Sequence, residues 1–303
     1  MIIAIDGGTT NTRLTLLRDG EVAARHKLRV GARDESLSDA ISAGIRGFLS
    51  VHGIAPADIT CICASGMITS DAGLYNLPHI PAPAGLDELR AGMVSVKLPV
   101  CELPITFIPG VKLMRDGRML DIMRGEETEV VGILQRLALD TCTLILPGSH
   151  MKCVHVENGR IVDFTTSMTG ELSRAAAEHT ILSRSIGDAF PRDPDVDFLR
   201  RGRELLTESG SMNAALFRIR VTAMGDPTIT QDQLYAMLLG IVLSDDVRQM
   251  KPGAPILVGG SNPFRAAYLT LLGDAGLQAE AISEDLAENA AAYGAWEICK
   301  PQS

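Results

Sequence analysis

Residues 1–17, MIIAIDGGTTNTRLTLL, decide the fold. Met1 to Ile5 is a continuous apolar, β-branched run and reads as a buried strand, while Arg13 to Leu17 (RLTLL) reads as a second strand. The loop DGGTTNT therefore joins two strands. Asp19-Gly20 is a two-residue hairpin signal, and residues 21–30 return as a third strand. A glycine-rich loop after a first strand also fits a dinucleotide fold or a P-loop, but both need that loop to open a helix whose N-terminus cradles phosphate. Here a strand follows, and neither G-x-G-x-x-G nor G-K-[ST] is spelled between Asp6 and Arg13. What remains is a hairpin loop whose backbone N–H groups, at Gly7 and Gly8, and side chains, of Thr9, Thr10 and Asn11, are suited to donate to phosphate oxygens. Asp6, at the strand end, is the expected holder of a hydrated Mg2+ ion. A plain β-hairpin with a Gly-Gly turn accounts for the same letters, and that alternative stands at this point.

The same order recurs later. Residues 141–146 (TCTLIL) lead into PGSHM, then 152–156, the turn Asn158-Gly159 and 160–165. Two such meanders, each opening about half of the chain, predict duplicated halves facing each other. Between them lie expected strands at 59–64 and 106–109 and amphipathic helices at 37–51 and 126–137. Residues 198–226 read as mostly helical. A helix at 231–250 precedes a strand at 255–258, the turn GGSNP and a helix at 263–272. The Ala-rich segment 287–298 is helical with Gly294 inside it, where glycine costs roughly 1 kcal/mol relative to Ala, so close packing or a ligand is expected there. Mixed strand and helix order means α/β domains.

At 303 residues, two domains are the default. An apolar fraction of 46% and a charged fraction of 21% are those of a soluble globular protein. A net charge of -9 argues against wide nucleic-acid or anionic-membrane surfaces, so the expected partner is small. Asp6 interrupts the N-terminal apolar run, so no signal peptide is expected, and no run reaches membrane-spanning length. The longest, 234–243, is followed by Ser244, Asp245 and Asp246 and reads as a buried helix. Six cysteines show no metal-type spacing; Cys61 and Cys63 alternate along a strand as small core residues. A reducing cytoplasm fits. The oligomeric state is left open, with a homodimer among the options.

MIIAIDGGTTNTRLTLL resembles the first phosphate loop of the actin-like ATPase superfamily, which includes the sugar kinases. LPGSHMK (146–152) stands where that superfamily places its second phosphate loop, and LVGGSNPF (257–264) resembles its adenosine-binding turn. More specifically, DGGTTNTR (6–13), ASGMITS (64–70), DIMRGEETE (121–129), LPGSHMKCVHVENGRIVDFTTSMTGEL (146–172) and VGGSNPFRAAY (258–268) resemble the 2-dehydro-3-deoxygalactonokinase family. The chain departs from the family habit at Ser149, where Thr is more frequent, at Cys153, where an aromatic is, and at Glu129, where Gln is common. The resemblance implies two ribonuclease H-like domains with an interdomain cleft. The first would be 1–120 plus about 288–303, carrying loop 1 and the sugar-acid site. The second, 121–287, would carry loop 2 and the adenosine site.

It further implies ATP and Mg2+ as cofactors and phosphorylation of 2-dehydro-3-deoxy-D-galactonate at its 6-hydroxyl. Other acceptors, such as 2-dehydro-3-deoxygluconate or water, and a nucleotide-responsive assembly or regulatory protein, are the alternatives. In related kinases an acid at the start of the helix before the second loop takes the hydroxyl proton. The matches are Glu126 and Glu127, with Asp121 third, although helix-dipole stabilisation alone explains acids in a first turn. Arg124 is a candidate bidentate clamp for the substrate carboxylate, or the partner of a neighbouring acid. Gly148, Ser149, His150 and Lys152 would grip phosphate, with an exposed strand lysine and a turn histidine as the plain readings of the last two. Ser65, Gly66 and Met67 end a strand, where open α/β sheets hold ligands. Gly259 and Gly260 permit close approach to a nucleotide, Ser261 and Asn262 would also cap the next helix, and Gly294 joins the nucleotide set.

Overall fold

The computed structural model describes residues 1–250 and 252–301. Strand β1 (Ile2–Gly7) forms because Ile2, Ile3, Ala4 and Ile5 are all buried, as in a strand covered on both faces. β2 (Thr12–Arg18) returns antiparallel, from Ile2 opposite Leu17 to Gly7 opposite Thr12. The Asp19-Gly20 turn, with φ of 52° and 84°, leads into β3 (Glu21–Leu28). Helix α1 (Leu37–Val51) buries Leu37, Ile41, Gly44, Ile45 and Phe48, one stripe at helical spacing. β4 (Cys61–Gly66) lies parallel to β1 and sets Ser65 opposite Asp6.

Next come β5 (Ile80–Pro81), α2 (Leu86–Ala91), β6 (Val94–Val96) and β7 (Ile105–Phe107). β8 (Val111–Arg115) and β9 (Arg118–Met123) lead into α3 (Glu126–Leu137). The six-stranded sheet has the order β3-β2-β1-β4-β7-β6, and β5-β8-β9 form a small separate sheet.

The second meander is β10 (Cys142–Leu146), β11 (Met151–Glu157) and β12 (Arg160–Ser167). Helices α4 (Thr169–His179), α5 (Ser183–Ile186), α6 (Val196–Ser209), α7 (Met212–Gly225) and α8 (Gln231–Val247) follow. The chain then forms β13 (Ile256–Val258), α9 (Phe264–Asp274), β14 (Ala279–Ala281) and finally α10 (Glu284–Cys299). The sheet order β12-β11-β10-β13-β14 repeats that of β3-β2-β1-β4-β7: a meander, then strands parallel to its first. α8 is buried continuously from Leu234 to Ser244, as its apolar run requires, and Thr230 and Gln233 close its start with a reciprocal capping box. Among the described residues no helix is long and apolar enough to cross a membrane.

The chain packs as two compact units. The first comprises residues 1–141, 155–164 and 288–303, the second 142–154 and 165–287. Residues 121–141, assigned from the sequence to the second half, pack with the first unit instead. The reasons are local: β9 pairs with β8, and α3 lies directly against α10. At that crossing, a Cβ on Gly132 would stand 2.0 Å from the Ala290 carbonyl oxygen, and one on Gly294 would stand 1.8 Å from the Thr128 oxygen. Gly294 is thus explained by helix packing, which corrects its expected place among nucleotide contacts. The second unit repeats the device where α6 meets α8, through Gly202 and Gly240.

Gly294→Ala should destabilise the protein by about 1–3 kcal/mol, through forced separation of two helices. Gly47→Ala is the contrasting change, because nothing lies within 4 Å of its Cβ position in α1. It should stabilise by about 0.5–1 kcal/mol. Urea unfolding midpoints of the two variants, moving in opposite directions, check both.

Candidate active site

In the first unit, three backbone segments meet at distances that exclude side chains. A Cβ on Gly7, at the end of β1, would lie 2.5 Å from Ile68 Cβ; one on Gly66, at the end of β4, would lie 2.7 Å from the Gly7 oxygen. Gly125, the residue before α3, would place a Cβ 3.2 Å from Gly66 Cα. Gly66 and Gly125 also have φ of 80° and 114°, where an L side chain is strained. These glycines bring the Asp6 loop, the buried Ser65 and the first turn of α3 together. The loop itself is held from behind: Gly8 N–H donates to the Asn11 oxygen at 2.9 Å, Ala32 N–H to the Gly8 oxygen at 3.0 Å, and Thr12 Oγ1 to the Val30 oxygen at 2.9 Å. Thr9 and Thr10 are left exposed at its tip.

Asp6 is ion-paired with Arg13 at 3.0 Å. Burial raises its pKa, against the lowering effect of Arg13. At the N-terminus of α3, both carboxylate oxygens of the fully buried Glu127 accept from Gly125 N–H, at 2.9 and 2.8 Å. Glu126 Oε2 accepts from Arg124 N–H at 3.0 Å. Burial, then the charge of Glu126, push Glu127 to about 8; hydrogen bonds from its own backbone N–H and from that of Gly125, then Arg124, oppose this. Glu129 is also pushed to about 8, by burial, Glu126 and Asp6, with Arg13 opposing. Glu129 was not among the expected site residues. Its signal was available in the i, i+3 spacing from Glu126, which returns a side chain to the same helix face.

Asp121 lies on β9 opposite Leu113, and its Oδ1 accepts from Ile122 N–H at 2.7 Å. Glu126 raises the pKa of Glu127, and Glu126, Asp6 and Glu127 raise that of Glu129, so these four acids form a cluster. Arg124 is spent on the protein. Its Nη1 donates to the Thr69 carbonyl oxygen and to Thr69 Oγ1, and its Nη2 to the Leu77 oxygen at 2.8 Å and His79 Nδ1 at 3.1 Å. Each terminal nitrogen has two hydrogens, so both terminal nitrogens expected to clamp a carboxylate are occupied by the protein itself. His79, another residue sequence reasoning missed, is held near pKa 4 by burial, Arg124 and Lys112. Accepting at Nδ1 leaves its proton on the buried Nε2, which has no partner. Met67, just past β4, is half-buried.

In the second unit, Gly148, Ser149 and His150 are exposed between β10 and β11. α4 supports this loop: Gly170 would place a Cβ 2.2 Å from the Gly148 oxygen, Glu171 N–H donates to the Ser149 oxygen at 3.0 Å, and His150 Nε2 meets Glu171 Oε2 at 2.9 Å. Lys152 is buried, and its Nζ donates to Thr166 Oγ1 at 2.8 Å, so it is not the exposed strand lysine. After β13, a Cβ on Gly259 would be 3.2 Å from Leu146 Cδ2 and one on Gly260, at φ 68°, would be 3.1 Å from Pro147 Cδ. The GG pair thus brings this turn onto the start of the second loop. Neither Ser261 nor Asn262 caps α9 with its side chain; Asn262 Nδ2 donates to Asp193 Oδ1 at 2.8 Å instead.

The raised Glu127 pKa has a stability consequence. From the ordinary 4.5 up to about 8, the folded protein keeps a proton that the unfolded chain releases, so stability falls as pH rises through that window. Glu127→Gln should remove this slope, giving a variant that gains thermal stability over the parent progressively toward pH 8. Thermal melts across the window check this, and parallel curves would exclude the shifted titration.

Over residues 6–298 the sequence matches the family described as 2-keto-3-deoxy-galactonokinase. The DgoK1 protein of Rhizobium meliloti (strain 1021), named as a 2-dehydro-3-deoxygalactonokinase, is 30% identical over an alignment of 314 positions that covers 97% of each chain. The Escherichia coli (strain K12) 2-dehydro-3-deoxygalactonokinase is 26% identical over 250 residues, covering 82% of this chain and 80% of that one. A crystal structure from Sinorhizobium meliloti, of a protein assigned as a 2-dehydro-3-deoxygalactonokinase, covers 100% of both chains with a TM-score of 0.82 and 27% identity. The fold is that of the actin-like ATPases and sugar kinases. The chain belongs to the 2-keto-3-deoxy-galactonokinase family of sugar-acid kinases.

Proposed function

We propose that the protein transfers the γ-phosphate of ATP to the 6-hydroxyl of 2-dehydro-3-deoxy-D-galactonate, giving the 6-phosphate and ADP. Family membership supports the reaction class. The observation that carries the mechanism is the cluster of carboxyl groups gathered at the N-terminus of α3 beside Asp6. Phosphoryl transfer asks the protein mainly to position the reactants and balance charge, and a carboxylate to take the hydroxyl proton.

Glu127 fits that last role. A base works best with a pKa near the operating pH, and burial brings Glu127 to about 8. Its two oxygens accept from Gly125 N–H, and Oε1 also from Thr128 Oγ1 at 3.3 Å, which fixes the carboxyl group at the start of α3. As the hydroxyl oxygen bonds to the γ-phosphorus, its proton passes to Glu127 and the bond to the β-phosphate oxygen breaks, releasing ADP. Arg124 acts as a positioning residue, tying the start of α3 to Thr69, Leu77 and His79. Thr9, Thr10 and Asn11 with the Gly7 and Gly8 amides take one set of phosphate contacts. Gly148, Ser149, His150 and Lys152 take another, and the Gly259 to Asn262 turn takes the nucleoside. Ser65, Gly66 and Met67 face the sugar acid.

The donor set suits Mg2+. Asp6, Glu126 and Glu129 supply hard oxygen atoms, and their mutual repulsion, visible in the raised Glu129, is what a dication relieves. Asp6 would hold the ion, which neutralises phosphate charge when bound. Dependence on ATP fits a cytoplasmic location.

A coupled ADP-release assay over 2-dehydro-3-deoxygalactonate, 2-dehydro-3-deoxygluconate and glucose, with a reaction lacking acceptor, tests the substrate. The first should far exceed the others; equal ADP release without acceptor would make the protein an ATPase. Glu127→Gln should lower kcat by about 10²- to 10⁴-fold with little change in the KM for ATP. An unchanged kcat would remove Glu127 from the mechanism.

A further inference from the structure

The end of α10 meets the start of β4 at a cluster of sulfur atoms that phosphoryl transfer does not use. Cys61 and Cys63 are two residues apart on β4 and so face the same side of the strand. That side carries α10. Cys63 Sγ stands 3.8 Å from the Ala295 carbonyl oxygen, and one helical turn further on α10 presents Cys299. The pitch of one turn and the repeat of two strand residues are nearly matched, which brings Cys299 to the two strand thiols. All three sulfurs lie within 4.8 Å of one another. A fourth soft donor adjoins them, since Cys299 Sγ is 3.6 Å from Met93 Sδ.

We propose that Cys61, Cys63 and Cys299 form a binding site for a soft, thiophilic metal ion of the Zn(II) or Cu(I) class. Two sulfurs bound to one ion at about 2.3 Å each stand no more than about 4.6 Å apart, so the observed cluster needs only slight side-chain adjustment to close on an ion. Thiolate and thioether ligands select such ions over Mg2+, which keeps this site distinct from the hard-oxygen cluster at Asp6. Cys63 is buried, whereas Cys61 and Cys299 are half-buried and leave a route of entry. Binding a divalent ion converts three S–H groups into three metal–sulfur bonds and releases three protons to solvent, with no change of oxidation state. Met93 or water completes the coordination. An ion here would pin the C-terminal turn of α10 to β4, the strand whose other end carries Ser65 and Gly66.

The test uses the full-length chain, reduced and freed of metal, with Cd2+ alone as the probe. Wild type should take up one equivalent, develop thiolate-to-metal charge-transfer absorption and show Cys61 and Cys299, half-buried without metal, newly protected from a thiol reagent while Cys101 stays reactive. Its Tm should rise on loading. Cys61→Ser and Cys299→Ser, on the accessible rim, should each weaken binding at least tenfold while retaining the far-UV spectrum of the parent. Cys101→Ser, outside the cluster, should bind as wild type. Cys61 and Cys299 reacting as fast with Cd2+ as without it, or undiminished binding by the Cys61→Ser, Cys299→Ser double variant, would overturn the proposal. So would a Cys61–Cys299 disulfide that forms as readily with Cd2+ as without it, because a bound ion must block it.

Discussion

Everything at the first unit's site depends on how closely three stretches of backbone approach. Gly7, Gly66 and Gly125 stand where a Cβ would meet a neighbouring segment at 2.5, 2.7 and 3.2 Å. Without that contact the end of β1, the end of β4 and the start of α3 would sit a side chain apart. With it, Asp6 acts electrostatically on Glu129 although the two belong to different elements. The register of β1 and β4 contributes as well, because parallel pairing sets Ser65 directly opposite Asp6. A helix N-terminus is favourable for negative charge, and α3 spends that advantage on three glutamates at once.

The arrangement works against folding stability. Glu127 is fully buried and Glu129 is pushed upward by its acidic neighbours, while Arg13 and Arg124 offset only part of the repulsion. A site selected for stability alone would place amides there. Carboxyl groups raised to about 8 lie where a proton moves readily near neutral pH, which is what a base for an alcohol requires. An anionic nucleotide would be repelled by the same cluster unless a cation lay between them, so the proposed Mg2+ ion and the surplus of carboxylates belong to one argument.

Much of this was legible in the sequence because it is local. Helices 37–51 and 126–137 form at the expected residues, since a stripe of apolar side chains in one and a glycine followed by acids in the other are signals carried by neighbours in the chain. Both meanders, with turns at Asp19-Gly20 and Asn158-Gly159, are local in the same sense. What stayed hidden is contact between distant residues. The sequence left close packing and a ligand both open at Gly294 until α3 stood against it, and left a carboxylate clamp and a neighbouring acid open at Arg124 until the loop at Thr69 to His79 took its hydrogen bonds. Cys61 and Cys63 looked like core packing because their third partner is on the last helix. Residues 121–141 followed the same logic: nothing within that segment says which sheet and helix it will join.

The two meanders share a strand order yet carry unlike chemistry, and the difference arises in what supports each loop. The first loop is backed by the chain at Val30 to Ala32, with Gly31 so close that a Cβ would fall 1.9 Å from the Thr9 oxygen. The segment occupies little space, which leaves the acidic start of α3 free to approach from β4. The second loop is backed by the N-terminal turn of α4, packed on Gly148 through Gly170, and the adjacent strand carries the buried Lys152. There the surroundings differ: the N-terminus of α4 and the His150–Glu171 pair lie at exposed backbone, and the buried Lys152 stands on the strand that follows. A kinase needs carboxylates near the attacking hydroxyl and positive potential near the phosphates that depart. The two meanders thus share a sheet order and differ in the element that backs each loop.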